Sequence, residues 1–117
     1  MFQFSKGDQI LPNPFESALV RAADMLNTTS LYRHDLACEV FPDLLPEGHL
    51  FMMPIGPRTM TNPLAQYMIF TLAIEEQAGF FGSGGKSIPD FTTLMQYWFG
   101  RNLFENPPAR LPDGLND

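Results

Sequence analysis

Phe2 and Phe4 alternate with polar neighbours in "MFQFSKGDQILP", the chain turns at Lys6-Gly7-Asp8, and Ile10-Leu11 resume the apolar run. A period of two over so short a stretch predicts an extended arm or a short edge strand across residues 1–12. The rhythm then changes. Phe15, Ala18, Leu19, Ala22, Met25 and Leu26 recur at the spacing of one face of an amphipathic helix. "NPFE" starts it well: Asn13 can cap, Pro14 suits the first helical position, and Glu16 stands where a capping box needs an acid. Asn27-Thr28-Thr29-Ser30 is expected to stop it.

"SLYRHDLACEVF" reads as a short helix capped by Ser30, with an irregular strand as the alternative. Residues 42–60 form a Pro-rich irregular segment that excludes a long helix, although "HLFMMPI" within it could lie extended over the core. "TNPLAQYMIFTLAIEEQAG" repeats the Asn-Pro start at Asn62-Pro63 and meets Gly79, a natural helix terminator. It is apolar nearly all round for three turns, which predicts a central helix over 63–78 buried on most sides. A last helix is expected from Pro89 to Phe104, with Phe91, Leu94, Met95, Trp98, Phe99 and Leu103 on a face too wide for one neighbour.

"ENPPARLPDGLND" cannot be helix or central strand, because three prolines remove donors and fix an extended backbone. Residues 106–117 are therefore expected to be a C-terminal tail, free or docked on another molecule and dispensable for folding. The fold class that follows is mainly α. A single helical domain over 1–105 gathers three to four helices around the 63–78 helix, with extended arms at both ends.

Composition sharpens this picture. The 117 residues suit one domain large enough to bury roughly two-thirds of its unfolded surface without staples. Only 17% are charged, against about 25% in an average soluble domain, while Phe, Met and Pro are abundant. Some of that apolar surface is expected to face a partner or another copy. Seven scattered basic residues and a net charge of −6 give no basic stripe, which argues against direct nucleic-acid binding. The longest apolar runs fall short of the roughly 20 residues a membrane span requires. Cys38 stands alone, and "MFQFSKGD" lacks the pattern of a secretory signal. A cytoplasmic location is expected where the protein is made, with incorporation into a particle or complex.

The stretch most suggestive of chemistry is "GFFGSGGKSIPD", Gly79 to Asp90, whose Gly-Lys-Ser resembles a phosphate-binding loop. Such a loop needs four residues between its first glycine and the Gly-Lys pair, and here Phe80 to Gly84 make five. It must also join a strand to a helix beginning at the Lys-Ser end, whereas Gly79 follows a helix and Pro89 delays the next. A flexible connection between two helices, anchored by Phe80-Phe81, explains the stretch better. His34 and Cys38 lie one helical turn apart, but no spacing supplies further ligands for a metal. The pair reads as a partly exposed histidine beside a buried thiol. Glu75-Glu76 reads as the solvated end of the central helix, since adjacent helical residues point about 100° apart and cannot share a proton-transfer site.

No catalytic residue, cofactor or metal site is therefore assigned. The sequence favours a non-enzymatic structural or accessory subunit of a larger assembly, of the virion, connector or secretion-complex kind by architectural analogy. Its partners would be other proteins, including copies of itself. The contacts would come from Phe2, Phe4, Phe80, Phe81, Trp98 and Phe99, and from Arg110, Leu111 and Leu115 in the tail. The alternative is a small acidic inhibitor or adaptor of the phage-encoded type binding one host protein. The third is a ligand-binding protein or enzyme using the Phe/Met-lined interior.

Overall fold

A computed structural model describes residues 1–6, 8, 10–11, 13–44, 48–49, 51 and 62–113. Among them the elements run β1 (Phe2–Ser5), α1 (Asn13–Ala22), a 3-10 turn (Leu26–Thr28), β2 (Thr29–Tyr32), α2 (His34–Val40), α3 (Pro63–Gly82), α4 (Thr92–Phe99) and β3 (Phe104–Glu105). Helices predominate, but a three-stranded sheet of order β1-β2-β3 sits among them. β1 pairs with β2 in parallel, Phe4 opposite Leu31, and β2 pairs with β3 antiparallel, Tyr32 opposite Phe104. Parallel neighbours need a crossover, and α1 supplies it.

β2 takes the first residues of the helix expected from Ser30, which forms only over His34–Val40 as α2. The four residues of β2 are all buried, Thr29 and Leu31 on one face and Ser30 and Tyr32 on the other. The sheet thereby divides two cores. Phe4, Val20, Leu31 and Leu111 pack on the α1 side, with Phe2 against them. Tyr32, Ala37, Phe51, Ile69, Leu72, Ala73, Met95, Phe99, Leu103 and Phe104 pack on the other. Tyr32 is the hinge of that second core, its ring 4.9 Å from Phe51 and 5.2 Å from Phe104. Arg33 then fastens the β2–α2 corner. Its guanidinium donates to both oxygens of Asp35 at 2.9 and 2.8 Å and to Glu105 at 2.7 Å.

Helix α1 starts where the sequence places it but ends at Ala22, short of the expected stop at Asn27–Ser30, and it is turned round. Its buried residues are Asn13, Glu16, Ser17 and Val20, while Phe15, Ala18, Leu19 and Ala22 face outward. The inward polar groups have partners there. Asn13 Nδ2 donates to the Ser5 carbonyl at 2.7 Å and to Glu16 Oε2 at 3.0 Å, and the Ser17 hydroxyl donates to the Pro112 carbonyl at 2.6 Å. Asn13 thus ties the helix to β1 in addition to standing at its start.

Helix α3 starts as its sequence predicts, with Asn62 Oδ1 accepting from the Ala65 N–H at 3.0 Å and Pro63 at the first helical position. Replacing Asn62 with Ala should cost about 1 kcal/mol in urea denaturation, because one N-terminal donor loses its acceptor. A neutral result would mean that the cap carries no load. The helix does not stop at Gly79 but runs on to Gly82. Gly79 is small for another reason: a Cβ there would lie 2.4 Å from the Pro89 ring. Nor is α3 buried on most sides. Its inward residues are Ala65, Ile69, Leu72, Ala73, Glu76 and Phe80, and its opposite face is open. α4 is shorter than expected, opened by Asp90 accepting from the Thr92 N–H at 2.9 Å and closed by Gly100 at φ 73°.

The C-terminal stretch is not a free arm. Leu111 and Pro112 are buried, Ser17 reaches the Pro112 carbonyl, and Arg21 pairs with Asp113 at 2.7 Å. Residues 106–113 lie on their own domain; the rest of the expected tail is outside the described residues, as is most of the Pro-rich segment.

Candidate functional site

The expected contact residues divide by burial. Phe4, Phe80, Phe99 and Leu111 are buried in the protein's own packing, so their surfaces are closed to a neighbour. Phe2 is half-buried against the Phe4 cluster. Phe81 is 71% exposed, Trp98 is exposed, and Arg110 stands at the surface beside Leu111. Leu115 lies outside the described residues. Arg110 lines an open cleft of about 420 Å³ with Val20, Arg21, Leu26, Leu111 and Asp113, between the end of α1 and the C-terminal stretch.

Other large apolar residues join the surface. On the α1 side they are Ile10, Leu11, Phe15, Leu19 and Leu26; on α3, Leu64, Tyr67 and Ile74; on α4, Tyr97 at 86% exposure. α1 and α3 cover opposite faces of the sheet, because Leu31 packs with Val20 while its neighbour Ser30 reaches α3. The molecule therefore presents outward apolar stripes on two opposed sides. Periodicity found the α1 stripe but not its direction, since an amphipathic pattern says which residues share a face and not which face turns inward; on α3, apolar nearly all round, it marked no separate outward stripe.

The phosphate-loop resemblance meets a different geometry. Gly79 to Gly82 is helix, and the N–H groups of Lys86 and Ser87 both donate to Ser83 Oγ at 3.1 Å. Those two donors are turned onto a side chain of the loop itself. His34 and Cys38 do lie together, Sγ 3.4 Å from Nε2, with the Tyr32 hydroxyl 2.9 Å from Nδ1. Their burial is the reverse of expectation, His34 buried and Cys38 half-buried. Burial raises the Cys38 thiol, the Asp35 charge adding to it, which disfavours the thiolate a nucleophile requires. Among the described residues no group of three or more His, Cys, Asp or Glu side chains is placed to hold a metal.

Two acids depart most from their sequence reading. Glu76 is 2% exposed, not a solvated helix end. Its Oε1 accepts from Ser30 Oγ at 2.6 Å and Gln3 Nε2 at 3.1 Å, and its Oε2 from Asn106 Nδ2 at 2.7 Å. It gathers β1, β2 and the segment after β3 onto α3. Burial pushes its carboxyl up, against the pull of those three donors. Glu16 is buried under α1, and burial pushes its carboxyl up to about 7, with the Asp8 charge adding to the rise and Asn13 and His49 opposing it. Asp8 itself accepts from the N–H groups of Ile10 and Leu11 at 2.8 Å and meets His49 Nδ1 at 2.6 Å. All these contacts lie within the fold and read as its fastening.

Comparison with known protein families, curated protein sequences and solved structures returned no match. No helix among the described residues is long and apolar enough to cross a membrane.

Proposed function

We propose that the chain is a non-enzymatic structural or accessory subunit of a protein assembly, bound to neighbouring proteins through its outward helix faces. One observation supports this most: both helices that cover the sheet, α1 and α3, carry large apolar side chains on their solvent side as well. Monomeric proteins rarely expose contiguous apolar patches beyond a few hundred Å² unless something docks there. With stripes on opposed sides, one copy can hold two neighbours at once, the arrangement of a link inside an assembly.

Sedimentation of a native extract from the cells or particles that make the protein tests this. The chain is expected in a complex several times its own 13.2 kDa. Phe15→Asp together with Leu19→Asp should release it from that complex without altering its circular-dichroism spectrum. A chain that sediments as a free monomer from its native source overturns the proposal.

A further inference from the structure

Helix α3 has two apolar faces, and its own domain covers one. At 100° per residue, Leu64, Tyr67, Thr71, Ile74, Ala78 and Phe81 fall opposite the inward face of Ala65, Ile69, Leu72, Glu76 and Phe80. They are spaced three and four alternately, the a/d pattern of a coiled-coil seam. Leu64, Tyr67 and Phe81 are more than half exposed and Ile74 is 37% exposed. None of the six positions carries a charge. A helix that closed only its own core would place polar residues there.

The geometry points to this seam as the contact between two copies of the chain, packed antiparallel through α3. It rests on the assembly reading and names one of that assembly's interfaces. The seam is complementary to itself when reversed. A two-fold axis at the level of Leu72 and Ala73 sets Tyr67 against Ala78 of the second copy, Phe81 against Leu64, and Ile74 against Thr71. Each larger side chain meets a smaller one, which lets the two helices approach evenly. The inward and outward faces lie on opposite sides of α3, so the two bodies stand outside the helix pair and do not collide. Antiparallel helices also bring each N-terminus beside the other's C-terminus, where the dipoles attract. Glu75 stays at the solvated rim. The side chains concerned would bury roughly 500 Å² per copy, about 1,000 Å² together, the lower bound for a specific interface.

At the small end of specific interfaces, the dimer is expected to be weak, with a dissociation constant on the order of 10 μM. Sedimentation equilibrium of the purified chain across that range should show its mass double. Ile74→Asp should weaken the dimer on the order of a hundredfold, because it places an unpaired carboxylate inside the seam. Phe15→Asp on α1 should leave the dimer intact, and circular dichroism should show both variants folded. Orientation is read by cross-linking in a Cys38→Ser background. Tyr67→Cys mixed with Ala78→Cys should oxidise to dimers containing one of each, while Tyr67→Cys alone should not. Monomers at every concentration, a dimer indifferent to Ile74→Asp, or efficient self-cross-linking of Tyr67→Cys each overturn the antiparallel seam. A purified monomer that still travels in a large complex in native extract removes the seam and keeps the assembly reading; a monomer in both removes both.

Discussion

A chain ending at Glu105 should lose most of its stability and be largely unfolded at 37 °C. The missing segment contributes from three places at once. Leu111 is 8% exposed in the core that Phe4, Val20 and Leu31 form on the α1 side of the sheet, and losing a buried leucine costs about 2–3 kcal/mol. The Pro112 carbonyl accepts the buried Ser17 hydroxyl, and stranding that donor costs about 1–3 kcal/mol. Asn106 leaves too, and with it the donor that faces one oxygen of the buried Glu76 carboxyl. Together these reach roughly 5 kcal/mol, the lower end of the whole stability of an ordinary domain. The melting temperature should then fall by roughly 20 °C, at about 4 °C per kcal/mol for a chain of this size.

Smaller changes separate the contributions. Leu111→Ala should cost about 2–3 kcal/mol by itself. Ser17→Ala should cost about 1 kcal/mol in the full chain but recover about 1 kcal/mol in the truncated one, since it removes the hydroxyl stranded there. Circular dichroism and thermal melting of the five proteins, the natural chain included, give the answer. An unchanged melting point after truncation would mean that residues 106–113 do not hold the fold together.

That expectation reverses what the prolines suggest. Pro107, Pro108 and Pro112 do keep the segment out of helix and central strand, but an extended backbone can still lay Leu111 into a core. Local chemistry was legible wherever the controlling contact is local. Asn62-Pro63 marks the start of α3 because the cap bonds three residues ahead, and the Phe2/Phe4 alternation marks β1 because strand period is a short-range property. It was not legible where a distant partner decides. Ser30 looks like a helix cap, yet its hydroxyl belongs to Glu76, 46 residues away. Gly79 looks like a terminator, yet its missing Cβ makes room for Pro89. The same holds for the candidate surface. The stripe of Phe15, Leu19 and Leu26 reads as core until Ser17 and Asn13 are seen to face Pro112 and Ser5 on the other side.

Stability should decline as pH rises from about 4.5 to about 7, the opposite of what a protein held by surface ion pairs would do. Burial is the reason. Glu16 ordinarily releases its proton near 4.5, but under α1 it holds that proton to about 7, since Asn13 and His49 only partly offset burial and the Asp8 charge. Between those values the unfolded chain gives up the proton and the folded chain keeps it. The stabilisation is thus complete below the unfolded value and is lost as pH climbs through the folded one. At 1.36 kcal/mol per unit the ceiling is near 3 kcal/mol, and solvent reaching the cluster through half-exposed His49 brings the expected loss to about 2 kcal/mol. Glu76 works in the same direction, burial outweighing its donors Ser30, Asn106 and Gln3. The opposing groups act lower on the scale. Burial raises Asp35, but Arg33 and Lys6 more than reverse it, and Thr92 holds Asp90 down, so their support is lost only as pH falls below the usual aspartate range. Urea denaturation at constant ionic strength from pH 4.5 to 8.5 should show the decline in the natural protein. In Glu16→Gln, which keeps an acceptor for Asn13 and cannot ionise, most of the slope should vanish, and the variant should melt roughly 8 °C higher than the natural protein at pH 8. Stability that climbs across this window, or a slope that Glu16→Gln leaves intact, would show that Glu16 is ionised in the folded protein and that burial does not control it.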